Sequence, residues 1–201
     1  MAEQVREPVQ KRSKETKSKI ILAAYDLFSE VGYFSTNTAE IAKRANVSTG
    51  IVYGYFKNKR DILLDVLDIY IDKAYKPLID IISSASDVDM LDSYVDKILD
   101  EVLRLHRDNA NMHEALNSLA HTDELVNARF KEVEDKMCLL LREKFSENGY
   151  DDYDLNERVH IAMNLIHSYA SESVFDAHHY INQDIMRSLI KEVTLNLFKR
   201  K

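Results

Sequence analysis

The chain has 201 residues with a formal charge of −7, and its four glycines and two prolines fall far below ordinary usage. So few turn-forming residues exclude a fold built from many hairpins, and one cysteine, Cys138, excludes an internal disulfide framework or a cysteine-rich zinc module. Taken alone, the negative charge argues against a polyanionic partner. The average conceals a division, however: residues 1–60 carry 11 Lys/Arg against 6 Asp/Glu, and the remainder carries 16 against 28. The longest stretch free of acidic and basic residues runs from Val159 to Ser171, short of the ~20 apolar residues that span a bilayer. We therefore expect an all-α cytoplasmic protein with two regions of opposite charge and no membrane partner.

In chain order, residues 1–13 form a basic arm expected to be flexible, within a lysine-rich stretch that extends to Lys17. A first helix over Ser18 to Val31 carries Ile21, Ala24, Leu27, Phe28 and Val31 on one stripe, and Gly32 ends it. Asn37 and Glu40 form a capping box for a short second helix that turns Ile41 and Ala42 inward and stops near Ala45. Asn46 supplies a left-handed turn, Val47 a core anchor, and Ser48 the cap of a third helix reaching about Phe56. Asn58 and Asp61 cap a fourth helix from Lys59 to about Tyr75, which Pro77 is expected to end.

Five amphipathic segments follow. The first spans Met90 to His106 with Leu91, Tyr94, Ile98, Val102 and Leu105 on its stripe, and a shorter one surrounds Met112 to Leu119. Another runs from Asp123 to Phe145, capped by Thr122, and Gly149 terminates it. The last two, Leu155 to Phe175 and Gln183 to about Phe198, carry apolar residues on several faces, as helices buried on several sides do. They are candidates for a subunit interface.

Two short helices joined through Ala45-Asn46-Val47-Ser48 match a helix-turn-helix, whose second helix lies in the major groove of DNA. Within VSTGIVYGYFKNK, Val52 and Phe56 face the core, and Thr49, Gly50, Tyr53, Gly54 and Tyr55 face outward. Small residues at the start of this helix let its backbone approach the duplex, while tyrosine hydroxyls and Lys59 can bond phosphates.

At these residues the chain resembles the TetR family of transcriptional regulators. The resemblance covers residues 14–74 and rests on AAYDLFSEVGY in the first helix, Thr36, Thr38, Ile41-Ala42, Ala45-Asn46-Val47-Ser48, Gly50, Tyr53, Tyr55-Phe56 and Lys59. Asn46 stands where the family usually has glycine, and Gly54 where it has a larger side chain. The resemblance implies an N-terminal three-helix DNA-binding head over residues 14–74 and a larger C-terminal helical bundle over 75–201 for effector binding and dimerisation. It assigns DNA contacts to Thr36, Thr38, Ser48, Thr49, Gly50, Ile51, Tyr53, Tyr55 and Lys59. It further implies a homodimeric repressor that leaves a palindromic double-stranded operator when a small-molecule effector binds. Tyr94, Met112, Phe130, Met137, Met163 and Tyr169 are the effector-pocket candidates. Val159, Met163, Ile166, Ala170 and Val174, with Met186, Ile190, Val193 and Leu197, are the dimer-interface candidates.

No catalytic motif emerges, and neither metal nor cofactor is expected. His113-Glu114 opens an HExxH pattern, but Asn117 stands at the second ligand position. Glu157-x-x-His160 is one element of a di-iron bundle with only a loose echo at Asp176 to His179. The alternatives are a helical-bundle metalloenzyme with a vestigial DNA-binding head, and an activator of the same fold.

Overall fold

A computed structural model of the chain describes residues 6–85, 90–150, 153–176 and 178–199, with only the backbone given at 6–10. Among them the order is α1 (Arg6–Val31), α2 (Thr38–Arg44), α3 (Thr49–Tyr55), α4 (Lys59–Ser83), α5 (Leu91–Asp108), α6 (Ala110–Ala120), α7 (Glu124–Glu147), α8 (Leu155–Phe175) and α9 (Gln183–Leu197). The all-α expectation holds, and no described helix is long and apolar enough to cross a membrane. The chain divides into two compact units, one of residues 1–72 with 111–127, the other of 73–110 with 128–201. The first therefore takes in α6, beyond the expected boundary at residue 74.

In the first unit α1 packs on α2, and α2 on α3. The expected arm differs: residues 6–17 are helical, and residues 1–5 lie outside the described residues. Pro8 does not prevent this, because it falls in the first turn, where an amide has no helical acceptor. The buried face of α1 is Ile20, Ala23, Ala24, Leu27 and Phe28, while Val31 is exposed. The stripe is thus shifted from that anchored on Ile21, since Ile20 completes the 3.6-residue period with Ala23, Ala24 and Leu27.

Gly32 has φ +88°, and its amide donates to the Phe28 carbonyl at 3.1 Å, closing α1 as expected. Residue 36 begins the approach to α2, whose cap is complete. The Asn37 side chain accepts from the amides of Ala39 and Glu40, and the Glu40 carboxylate accepts from the Asn37 amide. Asn46 takes φ 56°, so an asparagine fills the turn position that most often asks for glycine. The Ser48 hydroxyl accepts from the Ile51 amide and caps α3.

α4 departs from expectation by continuing through Pro77 to Ser83. A proline inside a helix removes one donor. Against that loss, Ala74, Leu78 and Ile82 recur at four-residue spacing and are all buried, so ending the helix at Tyr75 would expose an apolar face.

α6 and the turn that follows it close the first unit through three polar contacts. The Asn111 amide nitrogen donates to the carbonyls of Ser29 and Glu30, both at 3.0 Å, meeting acceptors that the last turn of α1 cannot satisfy internally. Arg60 and Asp123 form a bidentate pair at 2.5 and 2.9 Å. The Tyr70 hydroxyl and His113 Nδ1 lie 2.8 Å apart, both side chains buried. Asp123, not Thr122, caps α7, its carboxylate accepting from the Leu125 and Val126 amides. A carboxylate at that end also complements the helix dipole.

In the second unit α5, α8 and α9 pack on one another. One core cluster gathers Phe145, Tyr150, Leu155, Val159, Ala162 and Phe198, with the Phe145 and Phe198 rings stacked at 4.2 Å. A second gathers Val95, Leu99, Ile166 and Tyr169, with Met186 and Ile190 of α9 against it. A ladder of charge runs beside them: Lys191 pairs with Asp92 at 2.7 Å and Asp96 at 2.6 Å, and Arg187 with Asp96 at 3.2 Å and Asp100 at 2.8 Å. The hydrogen bond from Lys191 does most to hold the Asp96 carboxyl below its ordinary range.

Candidate nucleic-acid interface

The outer face of α3 follows from its two buried anchors. Val52 and Phe56 point into the core, four residues apart, which leaves Gly50, Ile51, Tyr53 and Gly54 exposed. A Cβ placed on Gly50 would meet only the Ser48 hydroxyl, at 3.9 Å, and one on Gly54 would meet nothing within 4 Å. This surface therefore has two backbone-smooth positions beside an aliphatic and an aromatic side chain. The hydroxyls of Tyr53 and Thr38 lie 3.0 Å apart, fixing the tyrosine against the first turn of α2. Thr38 and Tyr53 thus present a joined pair of hydroxyls, the chemistry that bonds phosphate oxygens.

The remaining expected contacts divide. Thr49 is half-buried at the start of α3, and Ser48 is exposed but its hydroxyl serves the cap. Tyr55 is half-buried and lies 3.1 Å from the Ser13 hydroxyl of α1. Thr36 is buried, and its hydroxyl donates to the Gly32 carbonyl at 2.9 Å, so its side chain belongs to the loop before α2 rather than to an outer face.

Lys59 is also turned inward. Its ammonium donates to the carbonyls of Tyr33 and Thr36, both at 2.7 Å, and stands 4.3 Å from the centre of the Tyr33 ring. Burial shifts its pKa down, as for any ammonium removed from water. Both residues were expected to touch DNA through their side chains. The correction has one cause: the loop between α1 and α2 exposes no helical partners for its carbonyls, and these two side chains supply donors. By contrast Lys43 and Lys57 are exposed near the two short helices. Lys57 lies in the FKNK run already quoted, and lysine after a buried aromatic is the signal that would have found it.

In the second unit, an apolar cleft of about 50 Å³ lies between Ile81 and Ile82 of α4, Leu91, Tyr94 and Ile98 of α5, and Leu141 and Phe145 of α7, with Lys144 at its edge. That volume holds a few waters rather than a drug-sized ligand. Of the six pocket candidates only Tyr94 lines it. Met112 is buried in the first unit, Phe130 and Met137 are buried on α7, and Met163 and Tyr169 pack into the two core clusters. Large residues at helical spacing have filled the core here.

Of the dimer-interface candidates Val193 stays outward, and the other eight are corrected in the same way. Val159, Ile166 and Ala170 are buried in their own unit, Val174 is half-buried, and Met163, Met186, Ile190 and Leu197 pack on its clusters. The large apolar residues that α8 and α9 leave outside are Ile161 at 46% exposure, Ile185 at 60%, Leu189 at 55% and Val193 at 46%. Ile185, Leu189 and Val193 recur every four residues and form one uncovered stripe on α9. For the metalloenzyme alternative, Glu157 and His160 are both exposed on α8, whereas a di-iron bundle projects its ligands inward.

The family model described as "Bacterial regulatory proteins, tetR family" matches residues 20–66. The HTH-type transcriptional regulator YuxN of Bacillus subtilis is 33% identical over 112 residues, covering 56% of this chain and 38% of that protein. The HTH-type transcriptional regulator HbdR of Aromatoleum sp. is 49% identical over 61 residues, 28% of this chain and 27% of that protein. The match thus spans well under two thirds of either relative's length. A TetR transcription regulator from Haloarcula marismortui superimposes with a TM-score of 0.69 at 18% identity, covering 92% of this chain and 96% of that one, a likeness of fold.

Proposed function

Because the chain belongs to the tetR family of bacterial regulatory proteins, we propose that it is a DNA-binding transcriptional regulator. In this reading it acts in the cytoplasm as a homodimeric repressor that leaves a palindromic operator when a small molecule binds its second unit. The observation that carries the reading is the outer face of α3, where Gly50, Ile51, Tyr53 and Gly54 stand exposed and the Thr38 hydroxyl holds Tyr53.

Such a face, smooth at two glycines and bearing no cationic or amide side chain between Thr49 and Tyr55, is suited to methyl contacts, bridging water and duplex shape. Ser48, Thr49 and Tyr55 complete the contact set at its two ends. Dimerisation is supported by the uncovered Ile185, Leu189 and Val193 stripe, with Ile161 as a further apolar residue on α8. A two-fold dimer reads two half-sites about one duplex turn, or a multiple of it, apart. The effector acts through its differential affinity for the bound and released states, and occupying the cleft around Tyr94 requires that it widen.

Selection of bound duplexes from a random pool, repeated in the presence of a metabolite library, tests the reading. Enrichment of one palindrome, lost with a particular metabolite, is the expected result. A pool with no enriched palindrome overturns it, and one enriched only with metabolite present overturns release as the mechanism.

A further inference from the structure

The family match begins at residue 20, but α1 begins at Arg6. The additional stretch is rich in cations: over residues 11–15 Lys11, Arg12 and Lys14 stand with a single acid, the exposed Glu15, which leaves that turn net positive. Lys17 is neutralised by Asp65 at 2.5 Å. Lys11, Arg12 and Lys14 are exposed and have no carboxylate partner among the described residues.

This segment is tied to the recognition helix. Ser13, between two of those cations, has its hydroxyl 3.1 Å from the hydroxyl of Tyr55, at the end of α3. Successive residues of a helix are turned by ~100°, so Arg12 and Lys14 leave α1 on either side of the Ser13 contact, and Lys11, about 160° round, lies between them on the outer side of the helix. Two unpaired cations therefore flank the place where α1 meets the end of the groove-reading helix. Duplex DNA presents about one negative charge per 1.7 Å of its axis, and lysine and arginine on an exposed helix offer charge without a shape that reads base edges.

We propose that Lys11, Arg12 and Lys14 form a second duplex-binding surface that holds backbone phosphates flanking each half-site, independently of sequence. The proposal rests on the DNA-binding reading above and adds to it a contact outside the helix-turn-helix.

The test compares the full-length wild type with the K11Q/R12Q/K14Q variant on the selected duplex, on the same duplex trimmed of its flanks, and on an unrelated duplex, across 50–300 mM salt. Glutamine keeps helix propensity close to that of lysine and arginine, so helical content and melting should be unchanged. On the long duplex we expect affinity to fall by about tenfold or more, and the slope of log K against log salt to become shallower by about 2 to 5 per dimer. The unrelated duplex should lose affinity in proportion, leaving the specificity ratio intact, and trimming the flanks should abolish the difference between the proteins. If the triple variant melts early, Arg12→Glu alone should still reduce the slope by about 2. Parallel salt lines and affinities within twofold, in a wild type that binds its selected duplex, overturn the proposal. A wild type that selects no duplex overturns the DNA-binding reading itself, and the proposal with it.

Discussion

Gly54 is the residue at which helix propensity can be separated from packing. It lies inside α3, its added Cβ meets no atom within 4 Å, and its backbone is helical. Gly54→Ala should therefore stabilise the first unit by about 0.5–1 kcal/mol, read as a raised melting temperature. Asn46 poses the opposite case at φ 56°. Asn46→Gly should be close to neutral, whereas Asn46→Ala should cost about 1 kcal/mol in denaturant titration, because alanine lacks the local side-chain bonding that eases this conformation. Lys59 distinguishes a loop-holding ammonium from a DNA-holding one. Lys59→Met should destabilise by about 1–3 kcal/mol through the two carbonyls it leaves, and the loss should persist with no DNA present. An unchanged melting curve would restore the phosphate role instead.

At the scale of the element, α9 carries the sharpest test. Leu189→Glu places a charge in the middle of the Ile185, Leu189 and Val193 stripe, and should yield a folded monomer by sedimentation, while Met186→Glu should disrupt folding because Met186 packs against the cluster of Val95, Leu99, Ile166 and Tyr169. Boundaries of elements with local punctuation were legible in the sequence: Asn37 with Glu40, Asn46, Ser48 and Gly32 all act where their chemistry says they should. Periodicity located the core of α3 at Val52 and Phe56 for the same reason. What remained hidden depends on partners distant in sequence. Nothing near Pro77 reveals that Leu78 and Ile82 are buried, and nothing near Asn111 reveals two acceptors on α1, at Ser29 and Glu30. On a helix with apolar residues on several faces, such as α8, pattern alone does not say which stripe its own chain covers. Thr36 and Lys59 are of types that ordinarily face outward, and the carbonyls of Gly32, Tyr33 and Thr36 in the loop hold them inward.

For the whole molecule, pH response follows from the second unit's buried imidazole. His106 Nδ1 lies 2.8 Å from the Val102 carbonyl, and burial pushes its pKa down to about 4. An unfolded histidine titrates near 6.5, so between these values the unfolded chain binds the additional proton and stability rises with pH. The contribution is complete above about 6.5 and is lost as pH falls toward 4, on the order of 3 kcal/mol for that interval. Urea midpoints measured from pH 7.5 to 4.5 should fall, and His106→Gln should flatten the curve; a midpoint indifferent to pH would contradict the buried neutral state. The division of the chain has a consequence for its synthesis. Met112, Leu116 and Val126 are buried in the same unit as residues 1–72, but they are translated only after residues 73–110. A ribosome that has released the helix-turn-helix has not yet released its last wall. The nascent head must wait, with apolar surface uncovered, until Asn127 has left the exit tunnel, and a fragment cut at residue 72 would remain in that waiting state.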